Sequence, residues 1–216
     1  MGNPLLYFNV SAETNFHYEQ CFSARGFTRI AGSDEAGRGP LAGPVVAASV
    51  ILPAGCNPSL FRESKQLTHR RRVELLQLLA DSNAAIGIGI VSVEKIEQMN
   101  ILQASLLAML RSVEDLTAGN HTPDYILVDG KFEIPMGTPQ QALIKGESRS
   151  ASIAAASIVA KVTRDSLMDE LHERYPLYNF KKHKGYPTRE HRQAIASFGP
   201  CLIHRKTFRG VKEFVK

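Results

Sequence analysis

Three short apolar runs in this chain stop on carboxylates. "FTRIAGSDE" ends at Asp34-Glu35, "DYILVDG" at Asp129, and "QALIKGES" at Glu147. Each acidic site precedes or abuts glycine. Runs of this length, bounded by turn residues, read as β-strands. Strand ends on one edge of a sheet are where an open α/β fold builds its site. If these strands are neighbours, their carboxylates converge.

Asp34 and Glu35 pose a problem of their own. Neighbouring carboxylates repel and raise each other's pKa. On a regular strand adjacent side chains also point to opposite faces. Both reach one cluster only if Glu35 lies where the strand ends and bends, which Ala36-Gly37 allows. Four carboxylates in one spot cannot stay ionised without cations. Hard oxygen ligands select Mg²⁺ or Mn²⁺ rather than zinc. Two such ions about 4 Å apart activate water and stabilise the leaving oxygen in phosphodiester cleavage. An acid before glycine is also an ordinary turn former, so each site means little alone.

The remaining pattern is mixed. "GPVVAASVIL" and "AAIGIGIVS" read as strands, and "RRVELLQLLA" as a helix with Thr68 as its N-cap. Residues 93–117 carry apolar positions at i, i+3, i+4 and i+7, giving one or two helices. "SASIAAASIVAKVTRDSLMDELHERY" is a long helix whose small residues permit close packing. "KKHKGYPTREHRQAIASFG" is a basic loop, then a helix capped at Thr188 and closed by Gly199. Strands first, then strands interleaved with helices, make a mixed α/β layer fold. The expected division is an N-terminal arm over 1–28, a catalytic domain over 29–175 and a basic helical subdomain over 176–216.

Charge supports a polyanion partner. The net charge is +5, but from Lys161 onward 13 basic and 6 acidic residues give +7, against −2 for the rest. A solubilising surface would look the same. Three widely spaced cysteines, Cys21, Cys56 and Cys201, argue against a disulfide framework or a zinc site. The N-terminus lacks a signal-peptide pattern, and prolines interrupt the long uncharged run from Gly39 to Phe61. These features are those of a soluble, cytoplasmic, monomeric protein with no membrane partner.

"IAGSDEAGRGPLAGPVVAASVIL" resembles the N-terminal signature of ribonuclease HII, the type 2 ribonuclease H. The likeness continues in order through "ESKQL", "ILVDG", "LIKGES", "AASIVAKVTRD" and "HKGYPTREH", from about Phe27 to Phe214. The sister family, ribonuclease HIII, has lysine in place of the arginine in Gly37-Arg38-Gly39. The resemblance implies a ribonuclease H-like mixed β-sheet flanked by helices, with a C-terminal helical subdomain. It implies cutting of RNA in RNA–DNA hybrids and nicking 5′ to single ribonucleotides in duplex DNA. The products would be 3′-hydroxyl and 5′-phosphate ends, made with Mn²⁺ or Mg²⁺. Asp34, Glu35, Asp129 and Glu147 match the metal-binding carboxylates, with glutamate at 147 where the bacterial pattern usually has aspartate. Asp165 is a rival fourth carboxylate, and its plainer reading is a helix-surface acid beside Arg164.

Gly37 and Gly39 let the backbone approach a ligand closely, where it can read a 2′-hydroxyl, and Arg38 can add a charge-assisted contact. Tyr186 matches the family tyrosine that stacks on the sugar beyond the ribonucleotide. Lys65, Lys145, Ser148, Arg164, Lys182 and Lys184 are candidate phosphate contacts, though each basic residue could be a surface charge. His183 reads as a loop hydrogen-bonding residue rather than a general base. Two rivals stand beside this reading. Another metal-dependent nuclease or integrase of the same superfamily would not need the glycine-arginine-glycine loop or Tyr186. A non-catalytic nucleic-acid-binding module would not need the carboxylates.

Overall fold

A computed structural model describes residues 15–61 and 67–215. Its centre is a five-stranded sheet of β1 (Ile30–Ala36), β2 (Val45–Ile51), β3 (Ala85–Val91), β4 (Tyr125–Asp129) and β5 (Gln140–Leu143). Spatial order is β3-β2-β1-β4-β5. β1, β2 and β3 are joined antiparallel, whereas β1–β4 and β4–β5 are parallel. The mixed sheet agrees with the expected fold class.

Alternation along β2 assigns its faces. Ala48 and Val50 pack on α2 (His69–Asp81) and α5 (Ala151–Arg174) with Leu75, Leu79 and Ile158. Val45 and Ala47 pack on the opposite face, among Ala104, Ala108 and Met109 of α4 (Ile101–Ala118). Fully burying one leucine such as Leu75 or Leu79 contributes about 1.5–3 kcal/mol. The helical stretch after β3 is two helices, α3 (Val93–Met99) and α4. Asn100 breaks it with φ 77°, and its side chain caps α4 by accepting from the Leu102 and Gln103 N–H groups.

The small residues of α5 do what their size allows. A Cβ at Gly32 of β1 would lie 2.1 Å from the Ser152 carbonyl carbon, so α5 rides directly on the strand. Glu19 of α1 (His17–Ser23) secures that end of α5. It is buried and accepts from Ser150 Oγ at 2.6 Å, Ser152 Oγ at 2.7 Å and Ser152 N at 3.0 Å. The C-terminal region adds α6 (Phe180–His183) and α7 (Arg189–Phe198), with Tyr178 and Phe180 packed on Ala42 and Met168. Thr68 and Thr188 cap α2 and α7 as their positions predict. Among the described residues no helix is long and apolar enough to cross a membrane.

Candidate active site

Strand register brings the carboxylates together. β1 and β4 run parallel with Ser33 beside Val128, so Asp34 and Asp129 follow at the same level on adjacent strands. β4 and β5 set Asp129 beside Leu143, and Glu147 follows in the 3-10 turn Gly146–Ser148. β1 outruns β4: its pairing with β2 continues to Ala36–Val46. Glu35 therefore lies beyond the last β1–β4 pair, and Gly37 turns the chain with φ 101°. Both members of the acidic pair border one cleft of about 460 Å³, together with Asp129 and Glu147.

Electrostatics in the cleft are unbalanced. Burial, then the Glu35, Asp129 and Glu147 charges, hold the Asp34 carboxyl well above the usual aspartate range. Burial also raises Glu35, although Arg38 opposes it from 3.1 Å. Asp34 Oδ1 accepts the Glu35 N–H at 2.6 Å, and Asp129 Oδ1 accepts the Gly146 N–H at 2.7 Å. Among the described residues no three acidic or metal-ligating groups are drawn together closely enough to hold an ion as they stand. The donor chemistry nevertheless fits a hard divalent cation. Four carboxylate side chains surround one cleft, and the cost of ionising Asp34 among them is what such a cation would offset.

The same cleft is lined by Gly37, Arg38, Gly39 and Tyr186. A Cβ at Gly39 would meet only Tyr186 Cε1, at 3.9 Å, so the space over this glycine opens toward the cleft. Tyr186 is 41% exposed, with Lys161 Nζ 5.7 Å from its ring centroid. Arg72, Ser157 and Lys161 also line the cleft and were not singled out from the sequence. Ser157 and Lys161 are i, i+4 polar residues that, after Ser152, interrupt the small and apolar first half of α5, a signal that was available. Arg72 sits in a run of arginines that reads as surface charge.

Several expected contacts fall elsewhere. Arg164 is a correction: it is fully buried and cannot meet phosphate. Its guanidinium donates to the Pro44 carbonyl at 3.0 Å, the Lys184 carbonyl at 3.0 Å and the Ala42 carbonyl at 3.1 Å. Desolvation lowers its pKa to about 10. Asp165 is no surface acid either. It is buried against Lys161, 2.7 Å away, and Glu147 rather than Asp165 lines the cleft. The Lys184 ammonium is engaged by Asp169 and the Asp165 carbonyl, outside the cleft lining. Lys182 pairs with Glu190 at 2.8 Å. Lys145 and Ser148 lie exposed on the turn around Glu147, with Ser148 Oγ donating to the Lys145 carbonyl at 2.9 Å. His183 is a hydrogen-bonding residue as expected, but it ends α6 rather than lying in a loop, and it is bonded to the Tyr178 carbonyl and the Gly185 N–H. Lys65 lies outside the described residues.

The mixed sheet flanked by helices is shared with solved ribonucleases of H type. The crystal structure of ribonuclease H2 from Pyrococcus horikoshii OT3 matches with TM-score 0.71 and 25% identity, over 87% of this chain and 97% of that one. The ribonuclease in a PCNA:RNase HII complex from Archaeoglobus fulgidus matches with TM-score 0.70 and 25% identity, over 84% and 96%. The family model of ribonuclease HII covers residues 31–211. Ribonuclease HII of Desulfotalea psychrophila is 57% identical over 203 residues, 94% of this chain and 90% of that protein. Ribonuclease HII of Bacillus subtilis is 48% identical over 197 residues, 91% and 76%. The chain belongs to the ribonuclease HII family. It is a nuclease of ribonuclease H type, and the family supports endoribonuclease activity on RNA–DNA hybrids.

Proposed function

We propose that this protein also nicks duplex DNA on the 5′ side of a single embedded ribonucleotide, by two-metal-ion catalysis. The observation carrying this reading is that the Gly37–Gly39 loop and Tyr186 line the same cleft as Asp34, Glu35, Asp129 and Glu147. A reader of the sugar and a set of cation ligands thus adjoin.

Asp34, Glu35, Asp129 and Glu147 would hold Mn²⁺ or Mg²⁺. Bound divalent cations supply Lewis acidity toward the attacking water and the leaving oxygen. The backbone of Gly37-Arg38-Gly39 lies against the ribonucleotide and tests its 2′-hydroxyl, the group that distinguishes RNA from DNA. Arg38 balances Glu35 and stays within reach of a phosphate. The Tyr186 ring packs on the next sugar, where a deoxyribose fits. Lys145 and Ser148, and Lys65 beyond the described residues, steady the phosphate backbone. The products carry 3′-hydroxyl and 5′-phosphate ends. A monomer acting in the cytoplasm completes the proposal.

Cleavage of a labelled RNA–DNA hybrid tests the metal assignment. Mn²⁺ or Mg²⁺ should each support cutting to 3′-hydroxyl ends, and a chelator should abolish it. Cutting that continues in chelator would reject the assignment.

A further inference from the structure

The segment Cys201–Arg205 contributes no side chain to the cleft lining, yet it is bonded directly to the Gly37–Gly43 loop and, through His191, to Tyr186. Its backbone pairs with the end of the glycine-rich loop. Gly43 N donates to the Ile203 carbonyl at 2.9 Å, Arg205 N donates to the Leu41 carbonyl at 2.8 Å, and Ala42 and His204 form an antiparallel bridge.

Arg205 is fully buried. Its guanidinium donates to the carbonyls of Gly37 at 2.6 Å, Pro40 at 2.8 Å, Arg38 at 3.0 Å and Gly43 at 2.8 and 3.1 Å. One planar fork thereby shapes the whole Gly37–Gly43 turn. A lysine ammonium, a point donor with three hydrogens, cannot span it.

His204 reaches the other element through His191. The Cys201 N–H donates to His204 Nδ1 at 2.9 Å, so that nitrogen carries no proton. Neutral His204 then carries its proton on Nε2 and donates to His191 Nε2 at 3.0 Å. His191 is left with its proton on Nδ1, which donates to the Tyr186 carbonyl at 2.9 Å. One tautomer assignment satisfies every bond in the relay. Both rings are fully buried, and burial pushes each down to about 4, so the relay stays neutral at physiological pH.

We propose that His204 and Arg205 are a positioning pair. Adjacent on one segment, they set the Gly37–Gly39 loop and Tyr186 relative to each other and so govern recognition of the ribonucleotide junction. Neither touches the substrate. The proposal rests on the reading that these two elements test the sugar.

The test uses the full chain, Mn²⁺, and a duplex with one embedded ribonucleotide. Wild type, Tyr186→Ala, His204→Phe, Arg205→Lys and the Tyr186→Ala/His204→Phe double variant are compared below their melting temperatures. His204→Phe and Arg205→Lys should each lower kcat/KM for nicking by about tenfold or more. If His204 acts through Tyr186, His204→Phe should cost less than about twofold further once Tyr186 is alanine. His204→Gln keeps an N–H donor toward His191 and should recover most of the activity, while His204→Leu, which lacks that donor, replaces the phenylalanine variant in the cycle if that fails to fold. Equal losses from the His204 substitution in both backgrounds, or full activity in Arg205→Lys, would overturn the pairing while leaving the junction reading intact. A wild-type protein that ignores the ribonucleotide would overturn both.

Discussion

The Gly146 N–H donates to Asp129 Oδ1 at 2.7 Å, so the turn that carries Glu147 hangs from the carboxylate at the end of β4. Removing Asp129 therefore changes two carboxylates at once. The side chain at 129 is both a proposed cation ligand and the peg of its neighbour.

Asp129→Asn and Asp129→Ala should separate these roles. Asparagine keeps an oxygen acceptor for Gly146, so its melting temperature should stay close to wild type. Alanine forfeits a bond to a charged group, worth about 1.5–3 kcal/mol. Both should lose more than about 100-fold in cleavage, since losing an outer-sphere partner of a metal site alone costs 10–100-fold. Thermal melting beside hybrid cleavage reads both, and an active Asp129→Asn variant would exclude Asp129 as a ligand.

Asp34 ties stability to pH. Burial and three neighbouring carboxylates raise its folded pKa above the unfolded value. The folded state thus holds a proton that the unfolded chain has released, and stability falls as pH rises from the ordinary aspartate range toward the raised value. In chelator, Asp34→Asn should melt above wild type at pH 8, by about 2–4 °C per kcal/mol relieved, and the gap should shrink toward pH 4. Mn²⁺ should then raise wild type more than the variant. A lower melting point for Asp34→Asn at pH 8 in chelator would contradict this.

Glu147 stands where the family resemblance expects aspartate. The extra methylene moves its carboxylate by up to about 1.5 Å and loosens its geometry. Mg²⁺ demands a stricter octahedron than its larger competitors, so the parent should favour Mn²⁺, and Glu147→Asp should shift the ratio toward Mg²⁺. Equal rates with both ions, unchanged by the substitution, would remove the idea.

Arg164 is predicted to act on stability rather than on phosphate affinity. Arg164→Ala leaves three carbonyls without their donor, at about 1–3 kcal/mol each where they stay buried. Melting should fall by several degrees at least, while the salt dependence of duplex binding stays unchanged among folded molecules. A flatter salt slope at constant melting temperature would restore the phosphate role.

What was legible in the sequence follows from the physics of each signal. The strands bearing Asp34, Glu35 and Asp129 announce themselves by short apolar approaches that stop at acidic and turn residues, and their register then does the gathering. The small residues of α5 foretell its approach to Gly32. Arg164 and Asp165 were misread because a charged residue mid-helix ordinarily faces water, and only the fold shows that carbonyls and Lys161 receive them. Arg205 and the His204–His191 relay leave no pattern, because their partners are mostly backbone atoms, which every residue type carries.

The central claim is that one cleft both senses a single 2′-hydroxyl and cuts beside it. Two duplexes of identical sequence, one with a single ribonucleotide and one wholly DNA, test it when incubated with Mn²⁺ or with chelator and mapped to the nucleotide. The account predicts one nick immediately 5′ to the ribonucleotide, only with metal, and at least about a tenfold loss in Tyr186→Ala while duplex binding persists. Comparable cutting of the all-DNA duplex, or undiminished nicking by Tyr186→Ala, would contradict it.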